Sequence, residues 1–108
     1  MAKDTITLET AQEWAATWKE NAETYLSENQ LKAFLIPGTD VTQVLAEEGV
    51  VNVRSYLGID ENNEPHLMIV GVDADGNDMI DDSKGWFIYD FSRPCPSTCD
   101  VNSPLYIK

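Results

Sequence analysis

Val50-Val51-Asn52-Val53-Arg54-Ser55-Tyr56-Leu57-Gly58-Ile59 is followed by Asp60-Glu61-Asn62-Asn63-Glu64-Pro65 and then by His66-Leu67-Met68-Ile69-Val70-Gly71-Val72. The first run is rich in β-branched and aromatic residues. Val51, Val53, Ser55 and Leu57 alternate there with Val50, Asn52, Arg54 and Tyr56, the pattern of a half-buried strand. The polar middle reads as a turn. The third run is apolar on both faces, as a central strand is. Together they predict an antiparallel hairpin, and the rest of the fold is built around it.

Upstream, Leu8, Ala11, Ala15, Trp18, Ala22, Tyr25 and Leu26 recur at helical spacing, with Trp14 widening the stripe. Glu9, Gln12, Glu13, Lys19, Glu20 and Glu23 largely fill the other face. The spacing predicts one amphipathic helix over residues 8–28, with Thr7 as N-cap. Trp14 and Trp18, four apart, read as core packing, with a ligand groove as the alternative. Leu31–Ile36 reads as a strand closed by Pro37-Gly38. Asp40 with Gln43 has the form of a capping box opening a short helix. Val41, Val44 and Leu45 would be its apolar face and Gly49 its stop.

Trp86–Phe91 predicts a further strand, with Trp86, Ile88 and Asp90 on one side and Phe87, Tyr89 and Phe91 on the other. Beyond it Pro94, Pro96 and Pro104 exclude regular structure from most of residues 92–104. The expected class is therefore α+β: an antiparallel sheet of about three to five strands, with the long N-terminal helix and the short second helix packed on one face. Residues 1–108 form a single domain, of which 92–108 is an irregular segment containing proline and both cysteines.

Nineteen acidic residues against seven basic ones give a formal net charge of −12. Such a surface repels phosphate backbones and anionic lipid, so nucleic acid and membrane are excluded as expected partners. Solubility alone accounts for the charge, and a basic or cationic partner is the alternative. Met1-Ala2-Lys3-Asp4-Thr5 has no apolar run behind its lysine, so no signal peptide is read there. No stretch nears the roughly 18 apolar residues of a membrane span. The cytoplasm is the default location.

The segment Asp73–Asp82 invites comparison with a calcium loop, because Asp73, Asp75 and Asn77 fall at ligand positions one, three and five of an EF-hand. The match fails where Asp78 replaces the turn glycine and Lys84 the bidentate glutamate. An Asp-Gly turn between two strands explains the same letters more simply.

Cys95 and Cys99 have three residues between them, not the two of a thioredoxin-like motif. With His66 as the single histidine, a closed zinc site would need an aspartate or a second subunit. A short-range disulfide is sterically possible, but a reducing cytoplasm would open it, and two thiols packed under a loop are the plain expectation. His66 could act as a general base towards either cysteine. Asp90, in an apolar strand, needs a partner, and Arg93 or Arg54 could supply it. The chain has no Gly-rich phosphate loop, no Gly-x-Ser-x-Gly and no His-Glu-x-x-His.

The run Tyr89-Asp90-Phe91-Ser92-Arg93-Pro94-Cys95-Pro96-Ser97-Thr98-Cys99-Asp100, closing in Ser103-Pro104-Leu105, resembles a signature of small uncharacterised bacterial proteins. Val72-Asp73-Ala74-Asp75-Gly76-Asn77-Asp78 fits the same resemblance, which then spans most of the chain. It implies no activity, cofactor or site residue.

Three functional expectations follow. The first is a non-enzymatic binding or interaction module, contacting itself as a homodimer or another protein through a sheet face or the tail. The second is a thiol-dependent activity at Cys95 or Cys99, with His66 or Arg93 lowering a thiol pKa. The third is a metal site shared between subunits. Missing catalytic motifs weigh against an enzyme, and no cofactor is implied.

Overall fold

The computed structural model describes residues 4–90 and 92–107. In chain order these form β1 (Thr5–Ile6), α1 (Leu8–Glu28), β2 (Ala33–Leu35), α2 (Gly38–Ala46), β3 (Asn52–Ile59), β4 (Pro65–Val72), β5 (Asp78–Met79), a single 3-10 turn at Asp82–Lys84, β6 (Ile88–Tyr89) and β7 (Arg93–Cys95). The opening Met1–Lys3 and the expected strand position of Phe91 lie outside the described residues.

The α+β class is as expected: one long N-terminal helix, one short helix and antiparallel sheets. α1 has the expected bounds. Thr7 is its N-cap, the hydroxyl accepting from the Thr10 amide at 3.1 Å. β3 and β4 form the expected hairpin, in register from Asn52↔Val72 to Ile59↔Pro65. β4 is the central strand. It pairs with β3 on one side and with β5 and β6 on the other, and β1 extends the sheet beyond β6. β3 is therefore an edge. A second sheet pairs β2 with β7, so the proline-rich tail still supplies one short strand.

The two helices, expected on one face, cover opposite faces. Met68, Val70 and Ile88 pack with Ile6, Ala11, Trp14 and Ala15, on the α1 side. Ile69 and Tyr89 pack with Val44 of α2 and with Ile36 and Phe87. Successive strand residues point to opposite faces, so these two clusters lie on either side of one sheet. The doubly apolar β4 requires this arrangement, because each of its faces needs a cover.

The capping-box reading of Asp40 is corrected. α2 begins at Gly38 after Pro37, with no side-chain cap, and Asp40 lies in the first turn, fully buried. The helix also stops earlier than read, with Glu47 as C-cap. Glu47 Oε2 accepts from the Phe87 amide at 3.0 Å and from the Tyr89 hydroxyl at 2.7 Å, tying the end of α2 to β6. Burial first, and then the Glu47 carboxylate, raise the Tyr89 pKa far above its ordinary value. The expected Trp86–Phe91 strand is paired only over Ile88–Tyr89. Among the described residues no helix is long and apolar enough to cross a membrane.

Candidate functional site

Gly58 and His66 are cross-strand neighbours in the hairpin. A Cβ on Gly58 would lie 2.8 Å from Trp14 Cβ, so only glycine lets α1 come this close. Trp14 fills the gap and stacks on the imidazole, with centroids 4.1 Å apart and planes 22° from parallel. Its Nε1 donates to Glu61 Oε2 at 3.2 Å.

Both nitrogens of His66 are taken by carboxylates. Nε2 lies 2.7 Å from Asp60 Oδ2, and Nδ1 lies 3.0 Å from Asp90 Oδ1. Burial favours the neutral ring, but the hydrogen bonds to Asp90 and Asp60 outweigh it and raise the His66 pKa to about 9. Burial likewise pushes the Asp60 pKa up, yet His66 and the amides of Glu64 and Asn62, which donate to Oδ1, hold it below the ordinary carboxylate value. The triad joins the hairpin turn to the strand before the tail. It borders an open cleft of about 640 Å³, lined also by Tyr25, Asn29, Glu64 and Arg93.

This geometry corrects two pairings expected from sequence. Asp90 is partnered by His66 rather than by Arg54, which binds Asp78 Oδ1 at 2.5 Å through Nη1. His66 meets no thiol as the expected base would, because both its nitrogens lie against carboxylates and neither cysteine is free. A protonated ring clamped on both sides is suited to holding elements together.

The cysteines are joined to each other. Cys95 and Cys99 form a disulfide with Cα atoms 4.7 Å apart, in place of the two packed thiols expected, and neither is free. Cys95 is buried on β7, while Cys99 is half-buried at the following turn. Thr98 donates from both its amide and its hydroxyl to the Pro94 carbonyl, closing the same turn. Arg93 lines the cleft at the start of β7.

Asp73, Asp75 and Asn77 form the tight turn between β4 and β5. Asp73 Oδ1 accepts from the amides of Asp75 and Asn77, each at 2.9 Å, and these bonds, the Asn77 one foremost, lower the Asp73 pKa. Gly76 takes a positive φ of 85° there. Among the described residues, no group of three or more His, Cys, Asp or Glu is arranged to hold a metal ion.

The largest feature that sequence reading missed is the sheet edge. Residues 51–57 are all exposed, in succession, and β3 has no strand on its outer side among the described residues. Val53 and Leu57 lie opposite Gly71 and Leu67, on the sheet face that carries α2, whose Val41 and Leu45 are exposed as well. On the other face Asp78 gathers Arg54 and the Tyr56 hydroxyl, which donates to Oδ2. The apolar alternation had marked β3 as a strand, but no sequence signal says which strand ends a sheet.

No family model matches the chain, and neither a curated protein nor a solved structure resembles it significantly.

Proposed function

We propose that the chain is a non-enzymatic interaction module that meets its partner along β3. One observation carries this reading: an eight-residue strand that is exposed on its outer edge and bears Val53 and Leu57 at 40% and 38% exposure. Proteins usually guard such an edge with proline, lysine or a bulge, because its free amides and carbonyls pair readily with another strand. Here the edge has no proline or lysine, and its one arginine is engaged by Asp78. The His66 cluster and the Asp73 turn are satisfied internally, which supports a binding role for the chain over a chemical one at those groups.

The test is site-specific photo-crosslinking, with a photoreactive phenylalanine analogue at Val53 and, as control, at the exposed Glu20 of α1. The expected result is one partner adduct of constant mass from Val53 and none from Glu20. Equal labelling from both positions, or none from either, removes the reading.

The disulfide supports a second reading, in which the thiol-dependent alternative narrows to thiol–disulfide exchange at Cys99, the less buried of the two residues. Disulfides persist where the environment oxidises thiols. Retention of the bond in freshly isolated protein therefore decides between such a compartment and the expected cytoplasm.

A further inference from the structure

We infer that the occupant of the β3 edge is an extended segment of another protein, apolar in its middle and flanked by lysine or arginine, added to the sheet as a sixth strand. The inference rests on the interaction reading above and names its partner class. Strand addition uses the free amides and carbonyls of the edge for affinity and alternate side chains for specificity.

The distribution of charge selects the partner. Gly49–Ile59 contains no acidic residue, although the chain carries nineteen. Exposed acids instead mark the two ends of β3. Glu48 precedes it and Asp75 stands in the turn after Val72, which pairs with Asn52. Glu61 and Glu64 stand in the turn that follows Ile59. The edge is thus a rail free of acidic residues, its one arginine paired with Asp78, between two anionic ends. Basic residues on both sides of an apolar core would meet those ends while leaving the rail to the core.

A second copy of the chain fits the same edge poorly. In antiparallel self-pairing centred on Ser55, the Asp60–Glu61 turn of one copy lies beside Glu48 of the other, twice by symmetry. Acid then faces acid at both ends, between two chains that each carry a net charge of −12. The arrangement that repels a copy attracts a basic strand.

Three synthetic nonapeptides test the inference against the intact protein by fluorescence anisotropy. The first has a Val-Thr-Val-Thr-Val core between paired lysines, and the second has the same core between paired glutamates. The third is the lysine peptide with its edge-facing amides N-methylated, which keeps the charge and removes the hydrogen bonds. The lysine peptide should bind, with amide shifts confined to β3 and its neighbours in NMR spectra. The N-methylated peptide should bind at least about tenfold more weakly, since losing two or three hydrogen bonds costs roughly that much. The glutamate peptide should show no measurable binding.

Equal binding of the lysine and N-methylated peptides means a charge contact without strand addition and overturns the inference. So does concentration-dependent dimerisation that protects the β3 amides, which would make a second copy the occupant. Partner crosslinking from Val53 with no peptide discrimination defeats this inference alone, whereas failure of both experiments defeats the interaction reading as well.

Discussion

Trp14 lies flat on His66, 4.1 Å between centroids, across a position that Gly58 leaves empty. The indole shields one face of an imidazolium whose two nitrogens are held by Asp60 and Asp90. A cation over an aromatic face is favoured further when water is excluded, and the His66 side chain is only 18% exposed. Three segments distant in sequence, α1, the hairpin turn and the end of β6, are thereby fastened to one ring.

The pH dependence of stability follows from this clamp. The His66 pKa is 6.5 in the unfolded chain and about 9 in the folded one. Its contribution is therefore complete below pH 6.5 and is lost as pH rises through 9. That difference corresponds to about 3 kcal/mol. Asp60 has the opposite sense: its lowered pKa contributes above the ordinary 3.8 and fades as pH falls below it. Urea unfolding should show a plateau between about pH 3.8 and 6.5 and a decline from there to about pH 9. His66→Gln should be less stable at pH 6 and should lose most of the alkaline decline. An unchanged slope between pH 6.5 and 9 in the variant would show that His66 is not its source.

The disulfide closes a loop of only five residues, so its effect on the unfolded chain is small. Loop-closure entropy at that length gives about 2 kcal/mol. Cys95→Ser combined with Cys99→Ser should lower unfolding free energy by about that amount and loosen β7 from β2. Hydrogen exchange reads the second effect at Lys32, whose amide donates to the Cys95 carbonyl at 2.7 Å. Alkylation before and after reduction, read by intact mass, should label no thiol in the first case and two in the second.

Calcium should leave the protein unchanged. The Asp73 carboxylate that an EF-hand would turn towards the ion is occupied by the Asp75 and Asn77 amides. Millimolar calcium should not move the melting temperature, whereas Asp73→Ala should lower it by exposing those amides without a partner. A calcium-dependent rise that Asp73→Ala abolishes would restore the ion-binding reading of Asp73, Asp75 and Asn77.

Where the sequence carried periodicity, the structure was legible. Over α1 the apolar stripe runs for more than five turns, and over β3 and β4 two adjacent runs share a turn, so both elements emerge with nearly the observed bounds. Two-residue strands such as β1 and β5 have no period to read. The helix placement was missed because it depends on which strand faces meet which helix, a property of packing. Asp90 could be recognised as needing a partner, but the sequence pointed to Arg93 or Arg54 and not to His66. Only the register, which brings His66 to the end of β4 beside β6, selects it.

Gly58→Ala tests the contact on which the whole cluster depends. The added methyl would meet Trp14 Cβ at 2.8 Å, Met68 Cε at 2.9 Å and the Trp14 backbone carbon at 3.3 Å. Met68 Cε ends a flexible chain and can move, but Trp14 Cβ and its carbonyl carbon belong to α1. The helix must therefore lift or the strand must bend, and overpacking of this kind costs about 1–3 kcal/mol. Lifting α1 also separates the indole from His66, so the alkaline decline in stability should be smaller and end at lower pH in this variant than in the parent. Gly38→Ala is the matching control. No atom lies within 4 Å of its added Cβ, and it sits at the start of α2, where alanine stabilises a helix by up to about 1 kcal/mol. A Gly58→Ala protein as stable as the Gly38→Ala one, with the same pH profile as the parent, would show that α1 does not rest on the hairpin at this point.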